Sequence, residues 1–304
     1  MNYQPKPLNI NQIEARPILE DITIVIPTLG RAILEESLYW IVSGSAWPGA
    51  IIVVDQGSSS HVAALLEKVK TLGIKAKHLP STQRGKAAAL NRGIELTNTR
   101  FVVVTDDDCF VKEDWLTKMA HRLRETPDSV VTGPAEAVGE QETVAVVTVR
   151  TPIISCRPGL KFDLFCGSNM GVAKSVVEQI GLFDEDLCLI AAEDCEWAYR
   201  TLRSGVPIIY APEIMVQHFS WRDANQRDVR YQTYARSMGG FYGKYLRQGD
   251  WHIALRLIIH HFRALRRWVR GTLTGDQEAA LYGRAYVTGL LPGIIAGFRR
   301  ERTL

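Results

Sequence analysis

Short apolar runs alternate with amphipathic stretches along the first 110 residues. The apolar runs are rich in β-branched residues and are bounded by Gly, Pro or Asp, which is typical of buried strands. Between them, apolar residues recur three and four positions apart, the spacing of a helix with one buried face. The predicted strands, with their turns, lie at 22–28, 50–60, 74–80 and 101–108, and the predicted helices at 34–44, 61–73 and 85–97. Continuous apolar strands that alternate with helices indicate an α/β fold, in which a mainly parallel sheet is covered by helices on both faces.

The alternation continues less regularly to about residue 220. Residues 175–183 have the pattern of a short helix with an apolar face. A second helix begins near the pair Glu193-Asp194 and ends at Gly205. Residues 206–218 then predict a strand, a turn and a strand that ends at His218.

From Trp251 the pattern becomes that of a long amphipathic helix. Its apolar positions follow a 3-4 spacing and comprise Trp251, Ala254, Leu255, Ile258, Phe262, Leu265 and Val269. A basic stripe on the opposite side comprises Arg256, His260, Arg263, Arg267 and Arg270. Two interpretations fit: an ordinary helix packed on the catalytic domain, or an interfacial helix lying on anionic lipid. The later apolar stretch 285–298 is broken by Gly and Pro and is too short for a regular span, so we expect it to pack against the helix or to dip into a membrane.

Charge is unevenly distributed along the 304 residues, although the formal net charge is only +3. From Trp251 onward there are nine arginines, no lysine and three acidic residues, a local charge of +6 that leaves −3 on the preceding 250 residues. Such a basic segment suits an acidic partner, either an anionic membrane or a nucleic acid. We expect no nucleic-acid binding, because no recognised reader module is present. An anionic membrane surface is therefore the acidic partner that we consider for 251–304.

Cysteine usage and the N-terminal segment indicate the compartment. The five cysteines show no CxxC or mixed Cys/His metal spacing, which favours reduced thiols in a reducing compartment. The first 20 residues are rich in Asn, Gln and Pro and lack the apolar core of a signal peptide. No apolar run reaches the ~18 residues of an ordinary membrane span. We therefore expect a cytoplasmic protein, either free or peripheral on the cytoplasmic face of a membrane.

Acidic and polar residues lie at the predicted carboxyl ends of the strands, where open α/β sheets bind their ligands. Glycine-rich phosphate loops of the GxGxxG and GxxxxGK[ST] types are absent, so a bound nucleotide diphosphate needs another group to neutralise it. Paired carboxylates that hold Mg²⁺ or Mn²⁺ supply one. Because alternate residues of an extended segment point the same way, we expect Asp106 and Asp108 to face the ligand with Asp107 turned aside. The alternative is a solvated turn or a helix cap.

A second group of candidate residues lies in the latter half of the chain. Glu193 and Asp194 stand in a predicted first helical turn, where acids are stabilised by the helix dipole. One of them is either a general base at the rim of the crevice or a capping residue. His218 ends a predicted strand, and it is either a structural histidine or a ligand.

Taken together, these segments resemble a family 2 glycosyltransferase with the GT-A fold, of the inverting, non-processive type. The matching segments cover about residues 22–220 in the family's order: VIPTLGR, VVDQGSSS, GKAAALNRGI, VVVTDDDC, GSNMGVAKSVVEQIGLFDE, EDCEWAYRTLRSG and YAPEIMVQH. The resemblance implies transfer of a sugar from a nucleotide-diphosphate sugar to a hydroxyl acceptor (a glycan, a lipid-linked group or a small molecule), with Mg²⁺ or Mn²⁺ as cofactor. The QxxRW motif and the membrane spans of processive synthases are absent, so we expect no polymer-extruding synthase.

Carried over position by position, the resemblance implies a role for each candidate residue. Implied contacts to the donor come from Pro27, Thr28, Arg31, Asp55, Lys86, Asn91 and Asp106. The implied metal ligands are Asp106, Asp108 and His218. Asp194 is the implied catalytic base that deprotonates the acceptor hydroxyl, while Glu193 and Asn169 lie on the acceptor side. Asp55 is followed by Gln56 where the family commonly has a second acid, so pairing at the nucleotide base is expected to differ.

The same resemblance sets the expected domain limits. We predict an N-terminal extension over 1–20, a catalytic domain over 21–225 and a basic helical region over 226–304. The catalytic domain divides into a donor half, 21–110, and an acceptor half, 111–225.

Two other functions remain as alternatives. One is a catalytically silent relative that binds nucleotide sugar or serves as a scaffold, which the intact residues Asp106, Asp108, Asp194 and His218 disfavour. The other is a phosphotransferase with an aspartyl nucleophile in the segment DDDC, which is disfavoured because the first strand segment, VIPTLGR, contains no acid.

Overall fold

The computed structural model describes residues 4–138, 149–219 and 227–299. The chain folds into two compact units. The first unit comprises Met1–Arg157, Leu164–Phe183 and Arg200–Trp221, and the second comprises Pro158–Asp163, Asp184–Tyr199 and Arg222–Leu304. The segment that contains Glu193 and Asp194 thus groups with the C-terminal helices, whereas we assigned it to the acceptor half. The domain limits given above stay a prediction.

A mixed, mainly parallel sheet forms the framework of the first unit. Its strands are β1 (Ile18–Thr28), β2 (Trp47–Asp55), β3 (Lys75–Pro80), β4 (Phe101–Thr105), β6 (Val130–Thr132), β8 (Ile153–Ser155), β9 (Asn169–Ala173) and β10 (Ile208–Tyr210). They are ordered β3-β2-β1-β4-β9-β6-β10-β8. The four strands at the N-terminal side run parallel, while β9 is antiparallel to both of its neighbours and β8 to β10. The predicted α/β fold with a mainly parallel sheet is therefore confirmed.

The first unit also contains a smaller, three-stranded sheet. Each of its strands follows a strand of the large sheet along the chain. It consists of β5 (Cys109–Val111), β7 (Ala135–Val138) and β11 (Val216–Phe219), in the order β5-β11-β7. The register of β11 against β5 sets His218 opposite Cys109. An acid-rich turn and a histidine from a distant part of the chain are thereby brought side by side.

Helices of the first unit follow the predicted alternation. They are α1 (Leu34–Val42), α2 (Ser60–Lys70), α3 (Lys86–Glu95), α4 (Trp115–Glu125) and α5 (Lys174–Ile180), and α6 (Glu193–Arg203) follows them in the chain. The helix α3 packs so closely on β1 that a Cβ added to Gly93 would lie 2.3 Å from a methyl group of Val25. All strands and helices predicted before residue 108 are present, but β4 ends at Thr105 and leaves the three aspartates in a turn. The expectation of an extended acidic segment is therefore wrong.

Three long helices dominate the second unit: α7 (Arg227–Leu246), α8 (Trp251–Thr274) and α9 (Gln277–Arg299). Glycines allow α7 and α9 to approach closely, since a Cβ on Gly293 would lie 2.0 Å from the carbonyl oxygen of Arg236. The core beneath them is aromatic and includes Tyr199, Phe241, Tyr242, Tyr245 and Tyr286. The stretch 285–298 belongs to the continuous helix α9, even though Pro292 lies within it.

The orientation of α8 differs from that of an ordinary amphipathic surface helix. Its apolar stripe is exposed: Trp251 is 74%, Ile258 65%, Phe262 66% and Leu273 81% accessible. The opposite side is the packed one, where Arg256 is buried and donates from Nη1 to Asp163 Oδ2 at 2.6 Å. His260, also on that side, accepts or donates at Nδ1 with the Tyr242 hydroxyl at 2.7 Å. The apolar stripe is thus not the face by which α8 packs, and both interpretations of this helix stay predictions.

Candidate active site

Three consecutive aspartates, Asp106–Asp108, occupy the turn between β4 and β5. Neighbouring carboxylates repel one another, and that repulsion needs nearby positive charge. Each aspartate has its own cationic or imidazole partner: Lys86 for Asp106, Arg31 for Asp107 and His218 for Asp108. Protein side chains thus already offset the repulsion among the three carboxylates.

Asp107 is the structural member of the triplet. Its side chain is 1% exposed and accepts from the Thr28 hydroxyl at 2.6 Å and from Arg31 Nε at 3.1 Å, with a second bond from Arg31 Nη2. Burial raises the pKa of the Asp107 carboxyl, and the bond and charge of Arg31 oppose that rise. Thr28 and Arg31, which the resemblance implies as donor contacts, are thus engaged with Asp107 and fix the turn.

Asp106 is the most accessible of the three carboxylates. The ammonium group of Lys86, the first residue of α3, lies 2.6 Å from its Oδ1 and 2.7 Å from its Oδ2. Both side chains are partly exposed, at 26% for Lys86 and 17% for Asp106. The structure therefore brings these two predicted donor contacts together at the surface, where a phosphate group can compete for the lysine.

Asp108 and His218 form a candidate metal centre. Asp108 Oδ1 lies 3.2 Å from His218 Nε2, and Arg31 Nη2 lies 3.5 Å from the other carboxylate oxygen. Oxygen and imidazole donors suit Mn²⁺, and Mg²⁺ accepts one or two carboxylates with substrate phosphates as further ligands. The residues present therefore fit a divalent cation.

Cys109 is a residue of this site that the sequence analysis did not single out. Its sulfur, one Asp108 oxygen and one His218 nitrogen lie within 4.8 Å of one another. Burial raises the pKa of the Cys109 thiol, and the charges of Asp106 and Asp108 add to that rise. A neutral thiol is a poor ligand for a hard cation, so the carboxylate and the imidazole are the better donors.

Asp55 organises the loop after β2. It is fully buried and accepts from the backbone amides of Gly57 at 2.8 Å and Ser59 at 2.7 Å, while His78 Nε2 lies 3.1 Å from Oδ2. Pro27 lies next to it in the sheet, buried in β1 and paired with Val54. Both carboxylate oxygens of Asp55 are thus engaged in hydrogen bonds, Oδ1 with the loop and Oδ2 with the loop and His78.

Asn91 and Asn169 are buried and bonded on both sides of their amides. Asn91 exchanges two bonds with the backbone of Phe183, at 2.9 and 2.8 Å. Asn169 accepts from the Trp115 indole at 2.9 Å and donates to the carbonyls of Ile214 at 2.7 Å and of Pro134. These contacts tie α3 and β9 to loops of the first unit, so each asparagine has a structural task whether or not it also borders a ligand.

Glu193 and Asp194 open α6 and belong to the second unit. Asp194 Oδ1 accepts from the backbone amide of Cys195 at 2.7 Å. Glu193 is mostly buried, whereas Asp194 is half-buried.

Residues 23–181 match the family model described as Glycosyl transferase family 2. The chain is 23% identical over 230 residues to chondroitin synthase from Pasteurella multocida (strain Pm70), covering 62% of this chain and 24% of that protein. It thus spans about a quarter of that relative's length.

Solved structures resemble the chain in fold. A mannosyltransferase from Pyrobaculum calidifontis, in complex with GDP-Man and Mn²⁺, has 18% identity and a TM-score of 0.58, covering 98% of this chain and 89% of its own. S. aureus TarS 1-349 in complex with UDP-GlcNAc has 13% identity and a TM-score of 0.54, covering 88% of this chain and 90% of its own. At these identities the likeness concerns the fold, and it confirms the predicted GT-A architecture.

The family match covers more than half of the chain and includes the β1–β4 framework and the aspartate turn. It begins inside β1 and ends just after α5. By its family model and by the architecture of its first unit, the chain belongs to glycosyl transferase family 2.

Proposed function

We propose that this protein is a metal-dependent, inverting glycosyltransferase that moves a sugar from a nucleotide-diphosphate sugar to a hydroxyl acceptor. The observation that carries the proposal is the turn Asp106–Asp108, where Thr28 and Arg31 hold Asp107 as an anchor while Asp106 meets a lysine and Asp108, also buried, meets a histidine. A fixed turn keeps Lys86, Asp106, Asp108 and His218 in position, and preorganised charged groups of this kind suit the binding of a diphosphate.

The donor binds in this proposal at the carboxyl ends of β1, β2 and β4. Asp108 and His218 would hold the divalent cation, with Asp106 beside them, and a mannosyltransferase of similar fold is known in complex with Mn²⁺. When bound, such a cation stabilises the negative charge of a diphosphate leaving group. Lys86 neutralises Asp106 in the free protein and turns to the donor phosphates when they arrive, because both groups are partly exposed.

The acceptor is activated by Asp194 in this proposal. A hydroxyl is a poor nucleophile near neutral pH, so a carboxylate must take its proton as the new bond forms. Asp194 is half-buried in the first turn of α6. Glu193 and Asn169 stay predictions as acceptor-side residues, on the family resemblance alone.

A calorimetric titration with nucleotide sugars in the presence of Mn²⁺ tests the donor site. We expect Asp108→Ala to abolish metal-dependent donor binding while the protein stays folded, because Thr28 and Arg31 still hold the turn through Asp107. The matched control is Asp114→Ala, an exposed acid that makes only an i,i+4 pair with Lys118. Unchanged donor affinity in Asp108→Ala would remove the metal assignment. Donor binding without any transfer, across a panel of acceptors, would favour the catalytically silent alternative.

Peripheral attachment to an anionic membrane through 251–304 is the second part of the proposal. It is supported by the exposed apolar side of α8 and by the basic residues beside it. Within the described ranges, no helix is both long enough and apolar enough to span a bilayer. We propose attachment in the plane of the interface, because the apolar side of α8 is exposed along the helix.

A further inference from the structure

Four arginines of α8 line one cavity of about 380 Å³ at the junction of α8 and α9. This arginine pocket is lined by Arg263, Arg266, Arg267, Arg270, Gly271, Asp276 and Ala279. All of them belong to the second unit, and the pocket is far in sequence from the aspartate turn. It has no task in the proposed sugar transfer.

The positive charge of the pocket is not neutralised by the acids around it. Among the described residues, none of its four arginines has an ion pair within 4.0 Å. The one acid in the lining, Asp276, accepts from the backbone amide of Ala279 at 2.9 Å and so caps the first turn of α9. Four guanidinium groups against one acid leave a strong attraction for an anion.

One arginine of the pocket is held in place by an aromatic ring. The guanidinium carbon of Arg267 lies 4.1 Å from the centroid of Tyr282 on α9. A planar guanidinium that is stacked in this way keeps its N–H groups free for an oxyanion. A fixed donor loses less conformational freedom when it binds a phosphate oxygen.

The pocket adjoins the exposed apolar stripe of α8. Residues three and four positions apart are neighbours on a helix surface, so Arg266 lies beside Phe262 and Val269. Arg270 likewise lies beside Leu273, which is 81% exposed. An anion-binding group and an apolar face therefore share one edge of the same helix.

The arginine pocket and the neighbouring apolar stripe together indicate which class of ligand fits this edge of α8. A free phosphate ion would satisfy the arginines but leave the apolar stripe in water. A second copy of this chain would bring like charges together at the pocket. An anionic phospholipid has both a phosphate and an adjoining apolar region, and interfacial helices bury their apolar side to about 5–10 Å at that boundary.

We propose that the arginine pocket binds the phosphate of an anionic phospholipid headgroup while the apolar stripe of α8 enters the same leaflet. The inference rests on the proposed membrane attachment, and it adds a discrete headgroup site to that attachment. It predicts that the pocket arginines contribute more to binding than the same number of charges elsewhere on the protein.

Vesicle binding of three full-length variants tests the site. The probe is vesicles of phosphatidylcholine with or without 30 mol% phosphatidylglycerol, with the protein's partition measured by flotation. The pocket variant is Arg266→Gln with Arg270→Gln, and the stripe variant is Ile258→Ser with Phe262→Ser. The charge-matched control is Lys75→Gln with Lys77→Gln, since both lysines are exposed on β3 in the first unit.

We expect the pocket variant to lose clearly more than about 30-fold in affinity for the anionic vesicles, because 30-fold corresponds to the ~1 kcal/mol that each of two basic residues contributes by diffuse attraction alone. The control should lose less than about threefold, and the stripe variant should lose binding to a similar or greater extent than the pocket variant. Equal losses in the pocket and control variants mean diffuse attraction and overturn the headgroup site. Retained binding in the stripe variant also overturns it.

Further outcomes separate this inference from the proposals on which it rests. If glycerol 3-phosphate in solution competes with vesicles at equal phosphate concentration, the pocket is a site for soluble phosphates and the lipid assignment is wrong. If the unmodified protein binds neither vesicle type, the membrane attachment fails together with the pocket. Metal-dependent donor binding, measured on the same samples, should be the same in all variants. A loss there would point to misfolding, which circular dichroism then identifies.

Discussion

At the scale of single residues, the three aspartates of the turn have different roles: Asp107 fixes the turn, and Asp106 and Asp108 are the candidate ligand-binding groups. Asp107 is engaged by Thr28 and Arg31 and is 1% exposed, whereas Asp106 and Asp108 meet Lys86 and His218. A buried carboxylate with its guanidinium is costly to break, because the remaining charge has no partner. The three identical side chains should therefore respond differently to the same substitution.

We expect Asp107→Asn to lower the free energy of unfolding by about 2 kcal/mol, less than for a fully buried pair because Arg31 is partly exposed. Asp106→Asn, which removes a more accessible pair, should cost less than about 1 kcal/mol. Urea unfolding followed by circular dichroism measures both. Similar losses in the two variants would mean that Asp107 is not the anchor of the turn.

Asp194 gives a prediction about rate. We expect Asp194→Asn to bind donor normally but to lose transfer by about 10²-fold or more, the scale of general base catalysis. Steady-state transfer assays, together with the donor titration, separate the two effects. If Asp194→Asn is fully active and Glu193→Gln is dead, the roles of these two acids are reversed.

His260 predicts how the second unit responds to acid. Burial lowers the pKa of His260 to about 4, and the positive charges of Arg263, Arg256 and His261 add to the effect. Its ring also meets the Tyr242 hydroxyl of α7 and stacks near Tyr286 of α9. The unfolded chain takes up this proton near pH 6.5 and the folded chain near pH 4, so stability is present above pH 6.5 and is lost as the pH falls towards 4.

Between pH 7 and pH 5 this one group should lower the free energy of unfolding by about 2 kcal/mol. His260→Gln should remove that part of the pH dependence, whatever its effect at pH 7. The control is His121→Gln, since the His121 side chain is 71% exposed. Denaturant unfolding at the two pH values gives the comparison, and an unchanged pH dependence in His260→Gln would contradict the buried, neutral state of this ring.

At the scale of elements, α8 packs by the side that the sequence pattern marks as basic. Arg256 is buried against Asp163, its guanidinium lying 5.5 Å from the Phe241 ring, while the apolar stripe remains exposed. A paired guanidinium over aromatic rings can be stable in a core, because its charge is satisfied and its plane stacks. The helix therefore keeps its large apolar residues for another surface.

Two matched substitutions on α8 test this orientation. Phe262→Asn should change the free energy of unfolding by less than about 0.5 kcal/mol, because Phe262 is 66% exposed. Ile253→Asn, at a fully buried position, should cost about 3 kcal/mol or more. Thermal and urea unfolding provide the values. A large loss in Phe262→Asn together with a small one in Ile253→Asn would mean that α8 is turned the other way.

At the scale of the whole molecule, charge is divided between a negative body and a positive C-terminal segment of +6. Such a division favours anionic surfaces at low salt and loses force as the Debye length shrinks to ~3 Å at 1 M. We expect the protein to sediment with anionic vesicles at low salt, not with neutral ones, and to be mostly released by high salt. Co-sedimentation that resists salt would indicate a spanning or deeply inserted segment, and no sedimentation at all would indicate a purely structural helix pair.

The parts of the fold that local pattern determines could be predicted from the sequence. The strands β1 to β4 are runs of apolar residues long enough to be recognised without knowledge of their neighbours, and the family resemblance followed from the residues at their ends. The orientation of α8 could not be predicted, because it depends on Asp163 and Tyr242, which lie far away in the chain. We expected Asp107 to turn aside from Asp106 and Asp108, but its partners Thr28 and Arg31 lie 79 and 76 positions away and could not be identified from the local pattern.

The ion pair of Arg256 with Asp163 also sets an order of events during synthesis. The two residues are 93 positions apart in the chain, and a ribosome adds about 5–20 residues per second. An Asp163 carboxylate on a nascent chain therefore stays in water for roughly 5 to 20 seconds before its guanidinium has even been made. The segment Pro158–Asp163 is synthesised between segments of the first unit, but it packs with the C-terminal helices of the second unit. The second unit is therefore completed only after the last helices have been made.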